Sequence, residues 1–460
     1  MLKNPFPEKS SETLLTHGPQ GDYNISVTSH KNTELVTNMQ KKPFVNLDKL
    51  NEIISEYPTP FHLYDEAGIR ATAKAVNTAF SWNPGFREYF AVKACPNPYI
   101  LKLLKEEGCG VDCASIPELM LAHTAGFTGD EIMFSSNETK AEEYEYARRL
   151  NAIINLDDIT HIDFLAAHGG LPEKICLRYN PGGDLNIGET CMGHPEESKY
   201  GMTRAQILEA ARILSERGVK SFGVHALLAS NATERHYYPE NAAILFSLAA
   251  EMYATLGVDI FMVNLSGGVG IAYLPEEETP DIVQVGADVR TEFERILVAA
   301  GLPDVHVASE LGRYVTGPNG CLVTTAIHEK HIYREYIGVD ACAVDLMRPA
   351  MYGAYHHISV MGKLDAPKDH VYDVVGSLCE NNDKFAVQRP LPKIDMGDVL
   401  VIHDTGAHGY SMGYNYNGKL KSAEILLHSD GSFSMIRRAE TPKDYFATLD
   451  FSEFAEELLS

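Results

Sequence analysis

A lysine amine, a glycine-rich turn and several opposed charges recur in this sequence, each at the end of an apolar run. Lys93 stands between Val92 and Ala94 after REYFAV. An ammonium there is costly to bury unless it is paired, deprotonated or used covalently; the plainer alternative is a snorkelling stem that takes the amine to solvent. Ser266-Gly267-Gly268-Val269-Gly270 follows FMVNL, and glycines so placed let backbone N–H groups approach a phosphate closely. Glu310 and Arg313 follow VHVAS with Gly312 between them, and Arg178 lies within ICLRYN, so opposite charges can bracket one ligand. Asp112 and Ser115 follow CGV, Asp157 follows AIINL, and His225 follows SFGV. The two aspartates could equally cap the helices after them. A lysine amine, a phosphate cradle and a carboxylate that keeps a ring nitrogen protonated are the three fixtures a pyridoxal phosphate enzyme requires, so that cofactor is the first chemical hypothesis.

These residues need elements to carry them. Apolar, β-branched or aromatic runs at roughly 86–92, 110–113, 131–135, 152–155, 174–179, 221–226, 260–265 and 305–310 alternate with helical patterns. Helix starts are legible: Ser115 precedes Glu118 at capping-box spacing with Pro117 in the first turn, and Asn97 precedes Pro98. Eight such alternations over about 250 residues predict an α/β fold, a closed (β/α)8 barrel, better than a doubly wound sheet. In a barrel the chemistry sits where strands end, which is where the polar residues above fall. Beyond about residue 320 the runs shorten (CLVTTAIHEKHIY, HVYDVVGSLC, DVLVIHD, AEILLHSD, SFSMIRR) between Gly, Asn and Asp turns, which predicts a C-terminal β domain. The expected division is a polar, aperiodic extension over 1–42 ending in MQKKPF, with Met39 an alternative start; a cofactor-binding barrel over 43–320, whose first residues can join the β domain; and a β domain over 321–460.

Of 460 residues, 45% are hydrophobic and 22% charged, an ordinary globular composition. The 39 basic and 63 acidic side chains leave a net charge of −24, which repels polyphosphate and anionic lipid and argues against nucleic-acid or membrane-surface partners. No apolar run approaches the roughly 18 residues of a membrane span, and MLKNPFPEKSSETLL lacks a secretory core, so the expected location is cytoplasmic. Eight scattered cysteines without CxxC pairs read as reduced thiols, and His328 and His331 lack the spacing of a zinc helix; no metal is expected.

At YFAVKACPNPYIL, GVDCAS, SGGVG, ELGR, MRPAMYGAYH, SLCEN and GAHGYSMGYNYN the chain resembles the fold type III pyridoxal phosphate decarboxylases, and among them the diaminopimelate decarboxylases, from about Tyr57 to Phe451. The resemblance implies an alanine racemase-like barrel with a following β domain, and a homodimer whose active sites are shared across the interface. It implies that Lys93 bonds the cofactor aldehyde and that Asp112 sits near that amine. Arg178 would lie near the cofactor hydroxyl, Gly267, Gly268 and Gly270 at its phosphate, and Glu310 at its pyridine nitrogen. His225, Ser230, Gly312, His408 and Tyr410 are further cofactor contacts expected on the same grounds. Arg313, Arg348 and Tyr352 would grip substrate carboxylate, Arg313 also facing the cofactor. Cys379 would be the proton donor and Glu380 the ligand of a distal substrate ammonium, both from the other subunit.

Three positions depart from the family pattern. Leu227 stands where a histidine usually stacks on the ring, His408 where a tyrosine reaches the phosphate, with Tyr410 and Tyr414 close enough to substitute, and Leu311 where a proline is usual. Plainer readings stay open as well: Arg348 as an interdomain salt bridge, Cys379 as a buried thiol, the tyrosine-rich 410–416 stretch as packing. The implied activity is decarboxylation of meso-diaminopimelate to L-lysine. Its two amino acid centres call for a bidentate carboxylate grip and an anion for the ammonium. The alternatives are a decarboxylase of the ornithine, lysine or carboxynorspermidine type, and a catalytically silent binding homologue.

Overall fold

The computed structural model describes residues 41–183 and 194–450. All but the last two residues of the polar extension, and Cys191, lie outside the described residues.

The chain opens with α1 (Leu47–Glu56), β1 (Phe61–Asp65) and α2 (Glu66–Ala79). The alternation then runs β2 (Arg87–Ala91), α3 (Pro98–Glu106), β3 (Gly110–Cys113), α4 (Ile116–Thr124), β4 (Ile132–Phe134), α5 (Ala141–Arg149), β5 (Ile153–Leu156), α6 (His161–Ala167) and β6 (Lys174–Arg178). It continues through α7 (Arg204–Glu216), β7 (Ser221–His225), α8 (Tyr237–Leu256), β8 (Asp259–Asn264), α9 (Ile282–Phe293), β9 (His306–Ser309) and the short α10 (Gly312–Thr316). Strands β2 to β9 close into a parallel barrel, β9 pairing back onto β2. The fold class read from the sequence is the fold observed.

Local chemistry explains the helix starts. Asn97 accepts the Tyr99 N–H at 3.1 Å with Pro98 in the first turn, and Ser115 caps α4 through the Glu118 N–H. Glu118 departs from the ordinary box: its carboxylate reaches past the cap to the Ala114 N–H at 2.7 Å. Strand alternation divides the side chains. Tyr89, Met133, Ile153, Cys176, Met262 and Ala308 plug the barrel interior, while Phe90, Val111, Ile154 and Val263 face the helix shell. Each large side chain so buried contributes about 1.5–3 kcal/mol.

The remaining strands are β10 (Gly320–His331), β11 (Glu335–Val339), then, after α11 (Arg348–Tyr352), β12 (Ile358–Val360), β13 (His370–Val375), β14 (Lys384–Leu391), β15 (Val399–Ile402), β16 (Ala423–Leu427) and β17 (Phe433–Arg437). They form a sheet of order β14-β13-β11-β10-β1-β16-β17, with β15 bridging β10 and β12. The opening residues of the chain belong here. β1 lies between β10, antiparallel, and β16, parallel. α1 buries Leu50 and Ile53 against Phe61, Leu63, Val323 and Ile425. The β domain is therefore built from both ends of the described chain, and its strands cross to the barrel at α2 and α10.

The seven described cysteines are free thiols, all buried except Cys379. Among the described residues no helix is long and apolar enough to cross a membrane, and no group of three or more His, Cys, Asp or Glu is arranged to hold a metal ion.

Candidate active site

A cavity of about 400 Å³ opens at the C-terminal ends of the barrel strands and is lined from both domains. Lys93, Arg178, Ser230, Gly267, Gly268, Glu310, Gly312, Arg313, Arg348, Tyr352 and His408 all face it. These positions span more than 300 residues of sequence. Strand-end geometry brings the barrel members together, and docking of the β domain adds the last three.

Lys93 sits in a single 3₁₀ turn, Val92–Ala94, directly after β2. Val92 and Ala94 are buried and anchor the turn, while the Lys93 side chain is exposed into the cavity. Gly312 is required behind it, since a Cβ there would come within 2.8 Å of Ala94 Cβ. The turn is tied to the β domain as well, through the His408 N–H, which donates to Ala94 O at 2.9 Å.

Below the lysine lies a buried polar group. Glu310 accepts from Asn264 Nδ2 at 2.7 Å and from the Ser266 hydroxyl at 2.8 Å. Burial works to raise its pKa, but the His225 imidazole, the Lys93 ammonium and the Ser266 hydroxyl outweigh burial and hold the carboxyl below its ordinary range. His225 is pulled down by burial, with Arg178 and Lys93 adding to the effect and Glu310 opposing it. Its Nδ1 accepts from Asn155 Nδ2 at 2.7 Å, which assigns the proton to Nε2. That Nε2 is 3.4 Å from Glu310 Oε1 but makes no aligned hydrogen bond. Asp112 is pushed well up by burial and by the Glu310 charge, Lys93 opposing, and its Oδ1 has no partner.

The glycine turn approaches other backbone closely. A Cβ on Gly267 would lie 2.7 Å from Glu310 O, and one on Gly268, at φ +107°, would lie 2.7 Å from the Tyr237 hydroxyl and 3.0 Å from Ala229 O. Gly270 serves packing rather than the cavity: its N–H donates to Ala232 O at 2.8 Å, and it does not face the opening.

Two arginines share one aromatic ring. Arg313 donates to the Tyr273 hydroxyl at 2.8 Å and to Ser230 Oγ at 3.1 Å. Arg348 stands over the Tyr273 ring, 4.8 Å from its centroid, and donates to His356 Nε2 at 3.2 Å. His356 Nδ1 donates to His403 O at 2.8 Å, and burial, with Arg348 next, keeps this imidazole neutral and so able to accept. Tyr273 and His356 were not singled out from the sequence. The available signals were the position of Tyr273 just after the glycine turn and that of His356 closing MRPAMYGAYH.

Several expectations need correction. Asp157 does not cap a helix; it accepts from Arg178 Nη1 at 3.1 Å and from the Gly201 N–H at 3.3 Å, and Asp112 caps nothing either. Tyr410 does not reach the cavity, because its ring is held between the cations of Arg437 and Lys421, at 4.7 and 4.9 Å. Tyr414 stays outside too. Cys379 is not a buried thiol: it is exposed, its N–H donating to Asn417 Oδ1 at 2.7 Å, and neither it nor Glu380 faces the cavity of its own chain.

A lysine amine, an anionic buried carboxylate and a glycine cradle fit a phosphorylated pyridine aldehyde, whereas Asp112 and His225, expected as cofactor contacts, are buried and are not among the residues lining the cavity. Comparison with known proteins agrees. Residues 66–317 match the family described as "Pyridoxal-dependent decarboxylase, pyridoxal binding domain", and the chain belongs to this family of pyridoxal phosphate-dependent decarboxylases. Within it, the chain is 40% identical to Protein TabA of Pseudomonas amygdali pv. tabaci, over 86% of this chain and 92% of that protein. It is 34% identical to the diaminopimelate decarboxylase of Methanothermobacter thermautotrophicus, over 85% and 92%. Among solved structures, diaminopimelate decarboxylase from Helicobacter pylori complexed with L-lysine superposes with a TM-score of 0.77 at 27% identity, covering 89% of this chain and all of that one.

Proposed function

We propose that this enzyme decarboxylates meso-2,6-diaminopimelate to L-lysine and CO2 in the cytoplasm, as a homodimer with shared active sites. The observation that carries the reading is the pair Arg313 and Arg348, set about Tyr273 in the same cavity as Lys93 and Glu310. Two guanidiniums suit a substrate with a carboxylate at each end, whereas a simple diamine-forming decarboxylase meets only an ammonium at the far end, and a buried arginine there would lose its partner. The names of the relatives support the same substrate.

Pyridoxal phosphate, when bound, supplies the electron sink for the pair left behind as CO2 departs. Lys93 would hold the cofactor through its amine, at the mouth of the cavity where the substrate's α-amine must arrive. Glu310, kept anionic, favours the proton on the ring nitrogen; losing it should cost about 3–4 kcal/mol of transition-state stabilisation, as for other buried electrostatic contacts. Ser230, Gly267 and Gly268 would hold the phosphate, and His408 lines the same cavity. Burial first, then the charges of Arg313, Arg348 and Lys93, hold His408 neutral. Leu227 lines the same cavity and would offer the ring face an apolar side chain. Cys379 and Glu380, exposed and outside their own cavity, are contributed by a second copy, Cys379 to protonate the substrate carbon and Glu380 to meet the distal ammonium.

The test is CO2 release from meso-diaminopimelate, ornithine and lysine side by side. Turnover confined to meso-diaminopimelate is expected, and comparable turnover of ornithine would refute the assignment.

A further inference from the structure

Glu88 is a fully buried carboxylate that the mechanism above does not use. It lies on β2 at the seam where the barrel closes. Only two register pairs join β2 to β9, Arg87 with Ala308 and Glu88 with Ser309. Its neighbour Tyr89 fills the barrel interior, so alternation turns Glu88 outward, towards the helix shell. An apolar side chain would fill that place at far less cost than a carboxylate.

Both of its oxygens are engaged, on either side of one residue. Oε1 accepts the Leu311 N–H at 2.6 Å, and Oε2 makes a short hydrogen bond with the Ser309 hydroxyl. The residue between these two donors is Glu310. Its own N–H donates to Ser266 O at 2.8 Å, and its carbonyl oxygen is the atom that a Cβ on Gly267 would meet. Tyr238 donates to the same Ser266 carbonyl at 2.8 Å. The path of the chain through Ser309–Leu311 thus determines both where the Glu310 carboxylate points and how closely the glycine turn can pack.

We propose that Glu88 is a positioning residue, clamping the backbone on both sides of Glu310 so that its carboxylate is presented to the cofactor's ring nitrogen. This rests on the role given to Glu310 above. The titratable groups facing Glu88 are Glu310, Tyr238 and Cys109. Burial above all raises the Glu88 carboxyl to about 7; the Glu310 charge adds to the rise, and the two hydrogen bonds oppose it. The clamp survives protonation, because a neutral carboxyl can donate to Ser309 Oγ while still accepting from Leu311. A glutamine can do the same.

The test is a double-mutant cycle on Glu88→Leu and Glu310→Gln, reading the dissociation constant of pyridoxal phosphate for the apoprotein by equilibrium dialysis, together with kcat. Glu88→Leu is expected to weaken cofactor binding and lower kcat by about tenfold or more in the natural background, but by less than about twofold beside Glu310→Gln. Glu88→Gln should stay within about threefold of the unaltered enzyme on both measures. Ser309→Ala removes one of the two bonds without changing the seam's volume, and tests the same coupling should Glu88→Leu not fold. Equal losses in both backgrounds, or no loss from Glu88→Leu, would overturn the proposal. If Glu310→Gln by itself changes neither measure, the role of Glu310 fails first, and the clamp with it.

Discussion

Glu88→Gln should make the protein more stable in alkaline solution and leave it nearly unchanged in acid. The carboxyl is fully buried, and its pKa stands at about 7 against an ordinary 4.5. The folded value lies above the unfolded one, so the folded chain binds this proton more tightly. The resulting stability is fully present below pH 4.5 and is lost as pH rises through 7. Carrying a carboxyl from 4.5 to 7 corresponds to about 3 kcal/mol. Glutamine, neutral throughout, retains the Leu311 and Ser309 hydrogen bonds without bringing a charge into the seam. The variant's advantage over the natural chain should therefore grow by about 3 kcal/mol between pH 5 and pH 8. For a chain of this size that is an increase of about 3–4 °C in the difference between their melting temperatures. Melting both proteins across that range in matched buffers provides the measurement, and comparing the two at each pH cancels every other titrating group. A difference that stays level from pH 5 to pH 8 would show that Glu88 does not titrate in this window and that its burial is relieved by a contact other than those described.

The other predictions concern the cavity. Lys93→Ala should abolish turnover, and borohydride reduction of the loaded enzyme should fix the cofactor on Lys93; recovery of the label on another residue contradicts its role. Gly268→Ala, which needs φ +107° and presses on the Tyr237 hydroxyl and Ala229 O, should weaken pyridoxal phosphate binding at least about tenfold. Gly218→Ala, at φ +96° with nothing near its Cβ, should cost only about 1 kcal/mol of stability and leave cofactor affinity intact. Tyr273→Phe removes the hydroxyl that accepts from Arg313, and a net contribution of about 0.5–1.5 kcal/mol translates into a rise of roughly 2- to 12-fold in KM with kcat little changed. Arg348→Met should raise KM for meso-diaminopimelate roughly 10- to 150-fold, the equivalent of a charged hydrogen bond of about 1.5–3 kcal/mol; an unchanged KM removes Arg348 from substrate recognition.

The barrel and the sequence positions of its lysine, glycine turn and carboxylate were legible in the chain because each depends on short-range pattern. Continuous apolar runs mark the buried barrel strands, caps such as Asn97 and Ser115 mark helix starts, and the C-terminal ends of the strands gather at one mouth of the barrel. Those signals lie within ten or so residues of the group they position. Other features depend on which distant surfaces meet. That β1 enters the β domain between β10 and β16 is settled by pairings across hundreds of residues. The sharing of Tyr273 between Arg313 and Arg348, and the withdrawal of Tyr410 to Arg437 and Lys421, join residues closer in sequence but likewise depend on how separate segments pack. Glu88 reads as one acidic residue in an apolar run until the barrel closes and sets Ser309 and Leu311 against its two oxygens. Periodicity specifies which face of an element is buried; only packing selects what it is buried against, and with it the partner of every buried polar atom.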